Sequence, residues 1–339
     1  MAVVEVAMSG GVDSSTAAAL LLEQGHAVSG VTMVLGHSSS APKAAEEVCR
    51  HLGIPHRTVD LARPFSELVV GAYADAYAAG RTPNPCVTCN ERVKFGLLLD
   101  DVLSRGADLL ATGHYARVLE GEPRRLAMGV DRTKDQSYFL YRLSPEVLEK
   151  VVFPIGGMKK SDVRRIAAQA GLPTAQREES QEACFVGAEG YEQVVRQLRP
   201  DAFEPGPIVD SGGNVLGTHN GIARYTIGQR KGLGVATGKA LYVTAIDPAS
   251  NTVHVGTADE ACVTEIVAKD VVWHDARAKG ACTFRYRHAT SVLAGTFSVD
   301  ESRLVVRSEE PLRGVAPGQA LVCYKGDVVM GGGTIEGAR

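Results

Sequence analysis

From Val3 to about residue 198, short apolar runs alternate with longer stretches of mixed polarity. Strands and helices take turns in this way along an α/β domain. Val3–Met8 reads as a buried strand, and His26–Leu35, Arg57–Leu61 and Ala107–Thr112 as three more. Ser15–Gln24 is rich in Ala and Leu and predicts a helix stopped by Gly25; Pro42–Leu52 predicts a second, ending at Gly53. Phe65–Ala79 and Glu91–Ser104 follow as helices, separated by a polar, proline-containing loop over Gly80–Asn90. Ser144-Pro145-Glu146 and Ser161-Asp162 mark two further helix starts, one with proline at the first helical position and one with an acidic first turn.

Near Pro200 the texture changes. Glycines cluster, strands shorten and helical periodicity is lost. Thr244–Gly256 and the stretch from Ala261 to Gly333 alternate apolar and polar residues between turn signals, a pattern that suits small antiparallel β domains. The expected organisation is an α/β domain over 1–198, a small central domain over 199–258 and a β domain over 259–339, with no internal repeat.

A chain of 339 residues exceeds one ordinary core. No apolar run approaches the roughly 20 residues of a membrane helix. Val3–Met8 is too short for a signal sequence, carries Glu5 and runs straight into a glycine loop. The cytoplasm is therefore the expected location, with no membrane partner. Net charge is −3, so any nucleic-acid surface has to be a local basic patch. Arg224, Arg230, Lys231 and Lys239 around Tyr225 form one candidate, and Arg277, Lys279, Arg285, Arg287 and His288 another; a solvated face would explain either cluster as well. Seven cysteines make no disulfide scaffold, and in a reducing compartment paired thiols point to chemistry or metal.

The strongest local signal follows the first strand: Ser9-Gly10-Gly11-Val12-Asp13-Ser14-Ser15. Two glycines let the backbone turn sharply and bring its N–H groups near an anion. The next helix points its free donors and positive dipole at the same place, and Ser9, Ser14 and Ser15 add hydroxyls. The loop is built for phosphate. It lacks the Gly-Lys-Ser/Thr of a Walker A loop and the Gly-x-Gly-x-x-Gly of a dinucleotide fold. It does match Ser-Gly-Gly-x-Asp-Ser, the signature of the PP-loop ATP pyrophosphatases, which cleave ATP between its α and β phosphates. By that resemblance Ala7, Met8, Ser9, Gly10, Gly11, Val12, Asp13 and Ser14 would hold the nucleotide, and Met33, at the end of the second strand, would meet adenine.

Cys86 and Cys89 form a Cys-x-x-Cys just ahead of the helix Glu91–Ser104, whose N-terminal dipole would lower a thiol pKa. Cys184 stands alone in Ala183-Cys184-Phe185-Val186-Gly187. A zinc site wants a second pair or added histidines at fixed spacing, and none exists. Sulfur chemistry shared between the pair and Cys184 fits. Cys49, Cys262, Cys282 and Cys323 read as buried small hydrophobes.

At these residues the resemblance becomes specific. Thr82-Pro83-Asn84-Pro85 with Cys89-Asn90 and Lys94-Phe95, Ala111 to Arg117, Lys134 to Leu140, Cys184 to Gly187, Tyr225 to Gly234, Arg285-Tyr286-Arg287, Pro317-Gly318-Gln319 and Gly331-Gly332-Gly333 occur in the order of the tRNA-specific 2-thiouridylase motifs and span almost the whole chain. The resemblance implies a PP-loop domain with a parallel sheet, a small central domain and a C-terminal antiparallel β-barrel. It implies Cys89 as nucleophile, Cys184 as persulfide carrier and Gly113 at ATP. It places Asn84, Pro85 and Cys86 at the target base, and His114, Lys134, Asp135, Gln136, Arg285, Tyr286 and Gln319 on tRNA. ATP with Mg²⁺, the anticodon stem-loop of tRNA and a sulfur-donor protein are the implied cofactors and partners. Many members carry Asp where this chain has Cys86. That leaves a second chemistry open, in which Cys86, Cys89 and Cys184 ligate a [4Fe–4S] cluster. Another PP-loop adenylating ligase of the amidotransferase type, or a non-catalytic RNA-binding module, are the remaining alternatives.

Overall fold

The computed structural model describes residues 1–36, 40–177, 184–187, 189–235, 238–300 and 302–339. The chain divides into two compact units: Met1–Leu68 with Cys86–Ala183 and Asp327–Val329, and Val69–Pro85 with Cys184–Gly326 and Met330–Arg339. Among the described residues no helix is long and apolar enough to cross a membrane.

The first unit is built on a parallel sheet of β1 (Val3–Ala7), β2 (Ala27–Val34), β3 (His56–Asp60), β4 (Leu109–Ala111) and β7 (Val151–Val152). Its order is β3-β2-β1-β4-β7, with Val4 opposite both Val28 and Leu109. The order runs outward from β1 in both directions, so the topology switches between β1 and β4; ligands of such sheets bind beyond the carboxyl ends of the strands at that point. A hairpin of β5 (Ala116–Leu119) and β6 (Arg125–Met128), absent from the sequence reading, follows β4 directly. Helix α1 (Val12–Glu23) buries Ser15, Thr16, Ala17 and Ala18, small residues that let it lie close to the sheet. Helix α2 (Ala41–Leu52) ends at Gly53 as expected and adds Ala45, Val48 and Cys49 to a core with Val4, Val6, Met8 and Val28.

Two helical expectations change. The expected helix Phe65–Ala79 is a longer helical run from Ala62 to Ala78 that widens to π geometry over Ser66–Gly71. The expected loop Gly80–Asn90 is already helical from Pro85, because proline is preorganised for a first helical position. Cys86 and Cys89 therefore sit on helix, and the winding turns to π over Cys89–Leu98 before Leu99–Ser104 completes the segment.

In the second unit, β8 (Gly206–Val209), β9 (Val215–His219), β10 (Tyr242–Asp247) and β11 (Thr252–Gly256) form a sheet of order β10-β11-β8-β9. The β8–β11 pair is parallel, so this small domain is mixed rather than antiparallel throughout. Then β12 (Cys262–Trp273), β13 (Lys279–Arg285), β14 (Leu293–Val299), β15 (Leu304–Arg313), β16 (Ala320–Lys325) and β17 (Val328–Ala338) form a ring of order β12-β15-β14-β13-β16-β17. Antiparallel pairing of β12 with β17 closes it into the expected barrel around Phe284, Phe297, Leu304 and Ile335. At the seam Gly331 has φ +144, and a Cβ there would lie 2.3 Å from the Val272 carbonyl oxygen.

One polar group in the first core demands a partner. Glu5 on β1 is buried, and Arg57 of β3 grips it with Nε at 2.6 Å and Nη2 at 2.7 Å. Asp101 shares the same guanidinium at 2.6 Å. Removing Arg57 strands a buried carboxylate. Arg57→Met is expected to lose about 3–5 kcal/mol in urea unfolding, and adding Glu5→Gln should restore part of the loss.

Candidate active site

The glycine loop lies beyond β1, at the switch point. Gly10 has φ +70, and a Cβ there would meet Ala44 Cβ at 2.6 Å, so the turn and its packing both require glycine. Gly11 is extended, and a Cβ there would meet only Ser9 Oγ, at 3.4 Å. Among the described residues no other atom comes within 4 Å of that position. Helix α1 starts there without a side-chain cap, leaving its first-turn N–H groups as anion donors. From the other side Gly113, just past β4, approaches so closely that a Cβ would fall 2.7 Å from both Asp13 C and Ser14 N. The hydroxyls divide their work. Ser14 Oγ accepts from Ser9 N at 3.2 Å, and Ser15 Oγ donates to Gly11 O at 2.8 Å. Ser15 is fully buried and so braces the loop instead of adding a donor for phosphate. Met8 and Val12 place their side chains in the core and offer only backbone, whereas Ala7 and Met33 are half-buried at the strand ends.

Sequence spacing gave no hint of Lys160. Its Nζ contacts Asp13 Oδ1 at 2.7 Å and Oδ2 at 2.8 Å across 147 positions, and Tyr115 donates its hydroxyl to the same carboxylate at 2.7 Å. Arg177 likewise donates to Gly10 O at 2.8 Å. The loop thus has a cation held beside it by its own acidic residue.

Gly113 leads into His114, which ties this loop to the cysteine helix. Thr112 Oγ1 lies 2.7 Å from His114 Nδ1, and Lys94 Nζ lies 3.4 Å from Nε2 and 3.0 Å from Asn90 Oδ1. Lysine has donors only, so Nε2 accepts and Nδ1–H donates to Thr112. Burial, reinforced by the Lys94 charge, holds the His114 pKa well below its ordinary value and keeps the ring neutral. Cys86 is exposed and Cys89 half-buried. Desolvation raises both thiols above their usual range, and Lys94 pulls each the other way. The expected lowering by the helix dipole is outweighed by burial.

Three family models match this chain: a tRNA methyl transferase HUP domain over 2–188, a tRNA methyl transferase PRC-barrel domain over 192–257 and an aminomethyltransferase beta-barrel domain over 263–335. The tRNA-specific 2-thiouridylase MnmA of Geobacter metallireducens is 46% identical over 98% of this chain and 96% of its own length. Its counterpart in Chloroflexus aurantiacus is 44% identical over 99% of this chain and 98% of its own. The chain belongs to the tRNA-specific 2-thiouridylase family. Among solved structures, a 4-thiouridine synthetase–RNA complex with bound ATP is similar at 17% identity and a TM-score of 0.37, covering 59% of this chain and 51% of that one.

The 2-thiouridylase resemblance assigns tRNA contacts to residues that the fold treats unequally. Lys134 is half-buried. Asp135 is 1% exposed and accepts from Gly129 N, Ser137 N and Ser137 Oγ. Gln136 accepts from Tyr115 N through its side chain at 3.0 Å. In the second unit Arg285 is 6% exposed, and the buried Tyr286 donates its hydroxyl to Arg313 O at 3.1 Å. Asp135, His114 and Tyr286 thus bond within the fold and Arg285 is buried, while Arg287 and His288 are exposed. Asn84 and Pro85 are half-buried in the second unit. Cys184 is exposed there, next to Phe185, whose ring packs edge-on to Tyr73 at 5.2 Å. A groove of about 430 Å³ in this unit is lined by Arg230, Lys239 and Gly232, Gly234 and Gly238. Cys49, Cys282 and Cys323 are buried as expected, and burial pushes Cys49 up to about 11. Cys262 departs from that reading: it is half-buried and receives Arg313 Nε at 3.2 Å. Among the described residues no three His, Cys, Asp or Glu side chains gather as a metal site.

Gly11→Val should leave the thermal midpoint near that of the parent while abolishing ATP-dependent pyrophosphate release, because the added carbons enter space meant for phosphate. Gly113→Ala should lower the midpoint, since it drives a methyl into backbone. For the thiols, the pH midpoint of Cys89 alkylation is expected above the ordinary thiol range. Lys94→Met should move it higher still, because a charge favouring thiolate is gone.

Proposed function

We propose that this chain uses ATP to transfer sulfur to C2 of the wobble uridine of tRNA. One observation carries the reading: in a single unit, an uncapped helix start behind Gly11 and a two-cysteine helix are linked through Gly113, His114 and Lys94. A phosphate cradle alone would suit any adenylating ligase. The thiols beside it suit sulfur transfer, and the relatives bear the matching name.

The uridine O2 is a poor leaving group. Its attack on the α phosphate of ATP forms an O–P bond, releases pyrophosphate and turns later departure into loss of AMP. Loop N–H groups and Lys160 would stabilise the departing charge. Mg²⁺ would supply further neutralisation of phosphate charge, and Asp13 is the loop carboxylate that would hold it if Lys160 turned from Asp13 to phosphate. The outer sulfur of a Cys184 persulfide then bonds to C2 as AMP leaves. The Cys89 thiolate attacks the inner sulfur, breaking the S–S bond; the outer sulfur stays on the base, and a Cys89–Cys184 disulfide forms. A thiol reductant supplies two electrons to reset it, and a sulfur-donor protein reloads Cys184. The anticodon loop presents a base that needs little unstacking. Exposed Arg230, Lys231 and Lys239 offer charge for its backbone.

The deciding experiment is tRNA thiolation by anaerobically purified protein in iron-free buffer. Cys89→Ser and Cys184→Ser should be inactive, and Cys86→Ser should keep substantial activity. An inactive Cys86→Ser protein that folds and binds tRNA normally would favour the [4Fe–4S] route, as would restoration of thiolation by iron and sulfide. Pyrophosphate release without tRNA would favour another adenylating ligase. Independently, Arg230→Ala and Lys239→Ala should each weaken tRNA binding and reduce its salt slope by about 1.

A further inference from the structure

Gln319, assigned to tRNA by resemblance, points its side chain at a loop of its own unit. Its Nε2 donates to the Thr82 carbonyl at 2.8 Å and lies 3.4 Å from that of Pro83. Both partners are acceptors, so the amide nitrogen has to face them. The backbone behind it is fixed: Gln319 N–H donates to Ala316 O at 3.2 Å, and its carbonyl accepts from Ile335 N at 2.8 Å. In the same turn, Pro317 O accepts the Thr82 N–H at 2.8 Å, and a Cβ on Gly318 would fall 3.1 Å from Thr82 C. Thr82 finally donates its hydroxyl to Thr226 Oγ1 at 3.1 Å. The N–H, the carbonyl and the hydroxyl of one loop residue are thus all held by two other segments.

A surface loop ordinarily leaves such groups to water. Here the held residue stands directly before Pro83-Asn84-Pro85, where two proline rings restrict the backbone. Once Thr82 is fixed, little freedom remains for Asn84.

We propose that Gln319 is a positioning residue: by clasping Thr82 it sets the path of Asn84 and Pro85, the segment that would meet the target base. The role rests on the proposed thiolation, but the clasp can be tested without RNA. Trypsin can cut after Arg81, which is exposed, at the bond to Thr82. In full-length, tRNA-free protein that bond should resist, and Gln319→Ala should be cut about tenfold faster, the worth of one good hydrogen bond. Gln319→Glu keeps the size and loses the donor. Its carboxylate would face two carbonyls, which favours protonation. Its cleavage, relative to parent protein, should therefore be fast in alkaline buffer and slow in mildly acidic buffer, where the carboxyl can donate in place of the amide. In thiolation, Gln319→Ala should lower kcat about tenfold with tRNA affinity unchanged. Weakened tRNA affinity with unchanged kcat would make Gln319 a direct RNA contact and overturn the proposal. Unchanged cleavage after Arg81 in both variants would overturn it too. Failure of the parent protein to thiolate tRNA would defeat the functional reading alone, since the cleavage rates decide the clasp.

Discussion

The site depends on one close approach of backbone to backbone, that of Gly113 to Asp13 and Ser14. It leaves no room for a methyl group, so the end of β4 and the start of α1 have one relative placement. That placement brings three things to the switch point of the sheet: the free donors of α1, the side chain of Asp13 and the His114–Thr112–Lys94 chain. Small buried residues along α1 make it possible, because a bulkier helix would stand off from β1 and β4. Packing thus decides the electrostatics here, not the reverse.

Two lysines then set the charge of the site. Lys160 is neutralised by Asp13 and can stay partly buried for that reason. Among the described residues Lys94 bonds to the neutral Asn90 and His114, and its charge opposes the burial that raises the nearby thiols. A raised thiol pKa also protects against adventitious oxidation, which attacks the thiolate.

Much of this was legible in the sequence, and the failures have physical causes. Strands β1, β2 and β3 and helix α2 followed from apolar runs and their stop signals, because local patterns determine local structure. The glycine loop was legible because phosphate binding needs glycine at fixed offsets from a strand and a helix. Lys160 was invisible because it acts across 147 positions, and no spacing rule reaches that far. The β5–β6 hairpin lacked a signal of its own among short mixed segments. Pro85 was read as part of a loop although proline serves a first helical turn equally well, and the tertiary context chose the second use. Burial of His114, Asp135 and Arg285 was likewise out of reach, since polar residues look exposed until their partners are known.

Closure of the barrel has a consequence for life at high concentration. Strands β12 to β17 are paired on both sides around the ring, which leaves few unsatisfied amides there for a neighbouring molecule. The exposure to that hazard falls on the open sheets. In the first unit, one border is the five-residue β3, which ends on the exposed Asp60, and the other is β7, only two residues long. Short, charged borders are poor templates for fibrils. The sheet that frames the chemistry in the first unit therefore also gives a second copy little to extend.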